Sequence, residues 1–294
     1  MTRAFLPIAA IAALLAPPAP ARPVPAAPPA IAGDPPRDAA HPARMEVLHV
    51  PSGGGTLNAV AYLAAGPGPH PTLVLFHGLP GNEKNGDLAQ AVRRAGWNVV
   101  LPNYRGSWGS SGRFSFAGNL VDADAVLAYV RDPDHAARLG IDPARLAIAG
   151  HSMGGWVTAL TAAHDHRLLG AALISAANMG PAGRTPRAEL VARMADNRET
   201  LAASAEQMAD ELAANAALFD WTKAAPALAA RPLLVLTSDD GLAPAAADLA
   251  AAVRAGGGRA VTLVHVATDH SWSDARLRLA NEIVAWLQAL PPAR

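Results

Sequence analysis

Arg145-Leu-Ala-Ile-Ala149 runs straight into Gly150-His151-Ser152-Met153-Gly154-Gly155, and that into Trp156-Val-Thr-Ala-Leu-Thr-Ala-Ala163. The first piece is a short apolar run, the second reads G-x-S-x-G, and the third has helical composition with no breaker. The order predicts a strand, a sharp turn and a helix. A serine at such a turn is held in a strained backbone conformation that pushes its Oγ out at the top of a sheet. Glycines flank it because a side chain there would strike the neighbouring strand or helix. The helix that follows aims its positive end at the point where an oxyanion would develop.

Outward from this turn, apolar runs alternate with helical stretches. Met45–Val50 and Leu57–Leu63 read as a hairpin across Pro51-Ser-Gly-Gly-Gly55, and Thr72–Phe76 as a fully apolar strand. Asp87–Ala95 reads as a helix, Trp97–Leu101 as a strand and Asn119–Val130 as a helix. Beyond the serine, Ala171–Ser175, Pro232–Thr237 and Ala260–Val266 are strands and Asp274–Leu290 closes the chain as a helix. Continuous apolar strands alternating with helices predict an α/β fold with a mostly parallel central sheet covered on both faces. Asn178–Leu228 is longer than one crossover helix needs. Its helical stretches Thr185–Met194 and Arg198–Ala217 predict a small helical cap inserted over the strand ends.

The ends of the chain set further bounds. Arg3 followed by the apolar run Phe5–Ala16 reads as an export signal too short to span a bilayer. Cleavage is expected after Ala21, with Ala26 as a second candidate, placing the protein in the periplasm or outside the cell. The division expected is a signal at 1–21, a Pro/Ala-rich linker at 22–43 and a catalytic domain at 44–294. The chain has no cysteine, which excludes disulfides and attachment through a lipidated cysteine. About 250 residues suffice for a core without cross-links. The net charge of zero offers nothing to nucleic acid or an anionic membrane surface.

In an open parallel sheet, chemistry gathers in the loops at the carboxyl ends of strands. His77-Gly78-Leu79-Pro80-Gly81 follows one strand; Pro80 has no N–H, so the Leu79 N–H is the donor expected there. Met153 N–H, directly after the serine, is the second. Ser238-Asp239-Asp240-Gly241-Leu242-Ala243-Pro244 follows another strand, and either aspartate can orient a histidine while the other caps the next helix. His270 stands in the last strand–helix loop. The order Ser, Asp, His is the one expected when the nucleophile sits on a strand–turn–helix elbow. His164, Asp165 and His166 follow a helix end and read as a solvated terminus rather than a metal site.

These residues together resemble the α/β-hydrolase superfamily over nearly all of residues 45–294. The resemblance rests on His77-Gly78, Asn103-Tyr-Arg-Gly-Ser-Trp-Gly-Ser110, Gly150–Gly155, Asp240-Gly-Leu-Ala-Pro244 and Asp269-His270. It implies Asp240, four residues before Pro244, as the triad acid, and it implies that Arg105 braces loops. Within the superfamily the chain is similar to dienelactone-hydrolase-like and acylaminoacyl-peptidase-like bacterial hydrolases. Its Ser152 departs from epoxide hydrolases and haloalkane dehalogenases, which use an aspartate nucleophile. Met153 stands where prolyl-oligopeptidase-type peptidases usually carry tyrosine, and the chain has no room for their propeller.

The expected activity is therefore hydrolysis of small or medium carboxylic esters by Ser152, Asp240 and His270, with Leu79 and Met153 as the oxyanion hole. No cofactor or metal is expected, and the partner is a small acyl substrate. A peptidase or acyltransferase uses the same acyl-enzyme, and a non-catalytic binding protein on the same fold remains the rival of a different class. Leu190, Met194, Met208, Leu212, Phe219 and Trp221 are available to line a pocket under the cap or to seal it against the sheet.

Overall fold

The structure, a computed structural model, describes residues 24–196 and 198–292. The export signal and the cleavage point after Ala21 lie outside the described residues. Eight strands form one sheet: β1 (Arg44–Ser52), β2 (Gly55–Leu63), β3 (His70–Phe76), β4 (Asn98–Pro102), β5 (Ile141–His151), β6 (Ala171–Ile174), β7 (Leu233–Thr237) and β8 (Val261–His265). Their order across the sheet is β1-β2-β4-β3-β5-β6-β7-β8. The β1–β2 and β2–β4 pairs are antiparallel; all others are parallel. The hairpin closes on Gly53 and Gly54, both with positive φ, which holds Ser52 opposite Gly55.

The helices are α1 (Pro29–Ala32), α2 (Gly86–Arg94), α3 (Phe116–Arg131), α4 (Pro133–Leu139), α5 (Met153–His164), α6 (Met179–Ala182), α7 (Arg187–Ala195), α8 (Ala205–Asn215), α9 (Ala225–Leu228), α10 (Ala243–Ala255) and α11 (Arg276–Gln288). A 3₁₀ turn at Trp221–Ala224 precedes α9. Side chains alternate across the parallel strands, so each strand feeds two cores. Val74, Phe76 and Ile148 face α3, α5 and the inserted helices, whereas Leu73, Leu75, Ala147 and Ala149 face α2 and α11.

The Pro/Ala-rich stretch is not free of the domain. Pro29–Ala32 forms one helical turn, Ile31 packs beside α2 and α11, Arg94 Nε donates to the Ala30 carbonyl at 2.8 Å and Asn281 Nδ2 to that of Pro25 at 2.6 Å. α4 was not foreseen. Asp132 caps it by accepting from the N–H groups of Asp134 and His135, Pro133 sits in its first turn, and Gly140 ends it in the left-handed conformation.

The insertion between β6 and β7 is helical, but its second helix begins later than Arg198. Ser204 accepts from the Gln207 N–H while the Gln207 side chain accepts from the Ser204 N–H, and this reciprocal cap starts α8 at Ala205. Residues 198–203 instead run beside the loop after β4: Trp108 N–H donates to Thr200 O at 3.2 Å and Ala202 N–H to Gly106 O at 2.7 Å. α8 also reaches α3, where the Glu211 carboxylate accepts from the Phe116 and Ala117 N–H groups at 3.0 and 2.8 Å. A carboxylate there satisfies orphan donors and complements the helix dipole.

Five of the six apolar residues named for this segment are core. Leu190, Met208, Leu212, Phe219 and Trp221 are buried, leaving Met194 as the partly exposed one. Phe219 packs edge-on against Trp156 with centroids 5.0 Å apart, and its carbonyl accepts from Trp156 Nε1 at 2.7 Å. Phe219→Ala is therefore expected to cost about 3–5 kcal/mol of stability by opening a cavity. Urea unfolding checks this; a loss below about 1 kcal/mol would mean that the inserted segment is only loosely seated.

Candidate active site

Ser152 lies between the end of β5 and the first residue of α5, with φ 57° and ψ −123°. A non-glycine residue in the left-handed half of conformational space is strained, and such strain persists where the surroundings over-determine it. The crowding here is measurable. A Cβ on Gly150 would stand 2.0 Å from Gly154 O, and one on Gly154 would stand 2.3 Å from Phe76 O. Only glycines let β5, α5 and β3 come this close, and their approach forces the turn on Ser152.

Asp240 follows β7 and His270 follows β8, so both stand at the same end of the parallel strands as Ser152. His270 Nδ1 is 2.7 Å from Asp240 Oδ2. The Asp240 side chain is 3% exposed and that of His270 38%. Burial pushes the Asp240 carboxyl up, but hydrogen bonds from His270, the Leu242 N–H and Ser238 outweigh it and hold the group below its ordinary range. An ionised carboxylate only accepts, so Nδ1 carries the imidazole proton and Nε2 is left with its lone pair. Asp239, its neighbour in sequence, turns outward. Its carboxylate meets His265 Nε2 at 3.0 Å, with side chains 62% and 50% exposed.

His151, the second residue of the G-x-S-x-G motif, is a further residue of this site, at a position where the motif accepts any residue. Its buried ring lies 4.6 Å from that of His270, centroid to centroid, and its Nε2–H donates to the His270 carbonyl at 2.8 Å. The His270 loop is thus tied to the residue before Ser152. His77 is buried as well, with Nδ1–H donating to Gly78 O at 2.7 Å and its ring edge-on to Tyr104. Burial pushes both histidines down to about 4, against smaller opposing effects of their hydrogen bonds.

These two shifts predict an acid-sensitive fold. An unfolded histidine takes up its proton near 6.5, whereas these stay neutral in the fold until about 4. Between those values the unfolded chain binds more protons, so stability falls as pH drops from about 6.5 towards 4, by on the order of 2–3 kcal/mol per histidine. Urea midpoints measured across that window should fall, and His151→Gln should fall less steeply. Equal slopes in the two proteins would contradict the assignment.

The Leu79 and Met153 backbones flank the serine. A Cβ on Gly78 would stand 2.8 Å from Ser152 Cβ, which puts the Gly78–Leu79 chain directly against it. Met153 N–H is the first of α5 and has no acceptor within that helix. The loop after β3 is fastened to the loop after β4. Trp108 Nε1 donates to Pro80 O at 2.8 Å, and Lys84 Nζ donates to Asn103 Oδ1 at 2.8 Å while lying 3.9 Å from the Trp108 ring centre. Partial burial lowers the Lys84 ammonium to about 8.

Arg105 ties the loop after β4 to the β1–β2 hairpin and to α3. Its Nε is 2.8 Å from buried Asp122, and its other nitrogens donate to Gly53 O and Gly118 O at 3.1 Å each. The His164–His166 cluster has partners of its own. His164 meets Asp124 at 2.8 Å, Asp165 is paired with Arg131, and His166 Nδ1 accepts from Arg231 at 3.1 Å. Asp165 is thereby mostly buried, not the solvated terminus that its position after α5 suggested. Among the described residues no helix is long and apolar enough to cross a membrane.

Residues 71–218, half of the chain, match the family model for the alpha/beta hydrolase fold. Among solved structures, Est1E from Butyrivibrio proteoclasticus superposes with a TM-score of 0.62 at 18% identity, over 81% of this chain and 95% of its own. EstE1, a thermophilic and thermostable carboxylesterase cloned from a metagenomic library, gives 0.60 at 23% identity, over 86% and 91%. An esterase from Pyrobaculum calidifontis gives 0.59 at 21% identity, over 84% and 85%.

Proposed function

The chain belongs to the α/β-hydrolase fold family, and from that premise we propose that it hydrolyses carboxylic esters through an acyl-enzyme on Ser152. One observation above all supports this reading. The strained elbow serine and the 2.7 Å His270–Asp240 pair stand at one end of the sheet, with His270 held against the residue before the serine. That two of these structural neighbours are described as an esterase and a carboxylesterase favours esters as the substrate class.

In this mechanism His270 Nε2 takes the Ser152 proton as Oγ attacks the ester carbonyl. Asp240 fixes the tautomer and stabilises the imidazolium. The Leu79 and Met153 N–H groups donate to the oxyanion. As the tetrahedral intermediate collapses, the imidazolium gives its proton to the departing alcohol. Water then enters, loses a proton to His270 and attacks the acyl carbonyl, and the returning proton frees Ser152 and the acid. All steps are proton transfers and acyl exchange, with no redox partner.

The test is turnover of p-nitrophenyl esters of increasing chain length, with and without prior treatment by a fluorophosphonate. Turnover that the fluorophosphonate abolishes supports the reading. Absence of turnover on every ester, with the protein folded, overturns it in favour of a non-catalytic binding protein.

A further inference from the structure

Two consecutive carbonyls of the histidine loop are held by side chains from other elements. His151 Nε2–H donates to the His270 carbonyl at 2.8 Å, and Arg276 Nη1 donates to the Ser271 carbonyl at 2.7 Å. The first bond fastens the loop to the serine elbow. The second reaches further, because the rest of the Arg276 guanidinium is spent on another loop. Its Nε donates to Asp87 Oδ2 at 2.8 Å, and its Nη2 donates to Asn85 Oδ1 at 3.0 Å and to the other Asp87 oxygen. Asn85 and Asp87 end the segment that carries the Leu79 N–H from β3 into α2. One guanidinium thus spans the loop of the general base and the loop of an oxyanion donor.

The arrangement suits arginine alone. A guanidinium presents its donors in a fixed planar fork, so a carboxylate taken at two points sets the direction of the remaining N–H bonds. Here Nε and Nη2 take Asp87, which leaves Nη1 aimed at the Ser271 carbonyl. Arg276 is the first residue of α11, and Asp87 stands in the first turn of α2. A carboxylate is favourable in a first turn and a cation is not. Arg276 therefore gains nothing from the dipole of α11, and what it reaches explains its place. Asn85 is buried and held in the left-handed region at φ 58°. Its N–H donates to the Glu83 carboxylate while its side chain meets the guanidinium, so the residue that starts α2 is fixed on both sides.

The two helices do not depend on Arg276 to stay together. Leu88, Val92, Leu279 and Ile283 share one core, and further along the pair Arg94 and Asn281 both bond the segment before β1. Losing the guanidinium should act on the loops rather than on the fold.

We propose that Arg276 is a positioning residue: it fixes the spacing between the His270 loop and the loop of the Leu79 N–H, so that base and oxyanion donor are set by one side chain. Without the fork, the Ser271 carbonyl and Asn85 are released together. His270 Nε2 and the Leu79 N–H then drift relative to one another, and catalysis is sensitive to such shifts. The donor acts most strongly on the oxyanion and the base acts in the transition state, so the loss falls on kcat rather than KM.

The inference rests on the esterase reading. Its test is a double-mutant cycle of Arg276→Gln, Asp87→Asn and the double variant. The readouts are kcat and KM on a p-nitrophenyl ester, the rate of fluorophosphonate labelling of Ser152, and Tm. Arg276→Gln should lower kcat about 10–100-fold with KM within about twofold. Asp87→Asn keeps the arginine but loses the charge that orients its fork, and should lower kcat about threefold. In the double variant Asp87→Asn should lower kcat no further, because the fork it orients is gone. Labelling should slow in step with kcat, since attack by Oγ uses the same base and donor. Arg276→Lys can pair with Asp87 but cannot also reach Asn85 and the Ser271 carbonyl, so its kcat should lie between wild type and Arg276→Gln.

A kcat of Arg276→Gln within about twofold of wild type, with only Tm lowered, would mean a merely structural arginine and overturns the inference. Multiplication of the two single effects in the double variant overturns it too, as does a change confined to KM. Should Arg276→Gln fail to fold, Arg276→Lys decides the matter: a reduced kcat at unchanged KM supports the clamp, and wild-type kcat counts against it. Wild type that labels at Ser152 but turns over no ester sinks the esterase reading alone, and the labelling rates of the variants then decide on the clamp. Wild type that does neither sinks both.

Discussion

Ser152→Ala is expected to lower ester hydrolysis by roughly 10⁴–10⁶-fold while the protein folds as before. The size follows from the role: without Oγ there is no acyl-enzyme, and only binding and the two N–H donors remain to assist attack by water. The neutrality towards folding follows from the site. The Ser152 side chain makes no capping bond to α5, so alanine leaves no buried partner stranded. The backbone strain at φ 57° stays the same for alanine, which has a Cβ just as serine does. Turnover and thermal unfolding of the variant check both halves. Retention of more than about a tenth of wild-type turnover would remove Ser152 as nucleophile, since nucleophile loss typically costs several orders of magnitude.

Asp240→Asn and Asp239→Asn should differ by orders of magnitude although the residues are adjacent. At 240, an amide can present its NH₂ to His270 Nδ1 and drive the imidazole proton to Nε2, where it blocks acceptance of the serine proton. That wrong tautomer, together with loss of the charge facing the imidazolium, should cost about 10⁴-fold in kcat. At 239, the change touches an exposed pair with His265, and the effect should stay within about threefold because such surface pairs carry little energy. Steady-state kinetics of the two variants decide the matter; the reverse ranking would make Asp239 the acid.

The pattern of apolar runs foretold the sheet because the inner strands β6 and β7 are buried throughout and β3 nearly so, whereas the edge strand β8 is only partly buried. The elbow was equally legible: Gly150 and Gly154 are forced by backbone contacts within 2.3 Å of any Cβ they might carry, and such a constraint leaves its mark in the sequence. The choice between Asp239 and Asp240 was not open to a reading of residues alone. Both follow the same strand, and only the turn of the chain sends one inward. The spacing to Pro244 selects Asp240, and Asp240 is the one that meets His270, at 2.7 Å.

What the sequence concealed was held by backbone acceptors or by unremarkable side chains. The docking of the Pro/Ala-rich stretch rests on the carbonyls of Pro25 and Ala30, and every residue has a carbonyl. Residues 198–203 look helical in composition, but the Ser204–Gln207 cap starts the helix later and frees them to run beside Gly106 and Trp108. Arg276 lies far in sequence from Asn85 and Asp87 and meets them only because α11 packs beside α2. His151 sat in plain view inside the motif, in a position where the pattern places no demand on residue type.

The central claim is that Ser152 is the residue that becomes acylated. It is tested most directly by treating the folded protein with a fluorophosphonate and locating the adduct by peptide mass mapping. The account predicts a single adduct on the peptide carrying Gly150–Gly155, at Ser152. An adduct on another residue, or none on the folded protein, would contradict it.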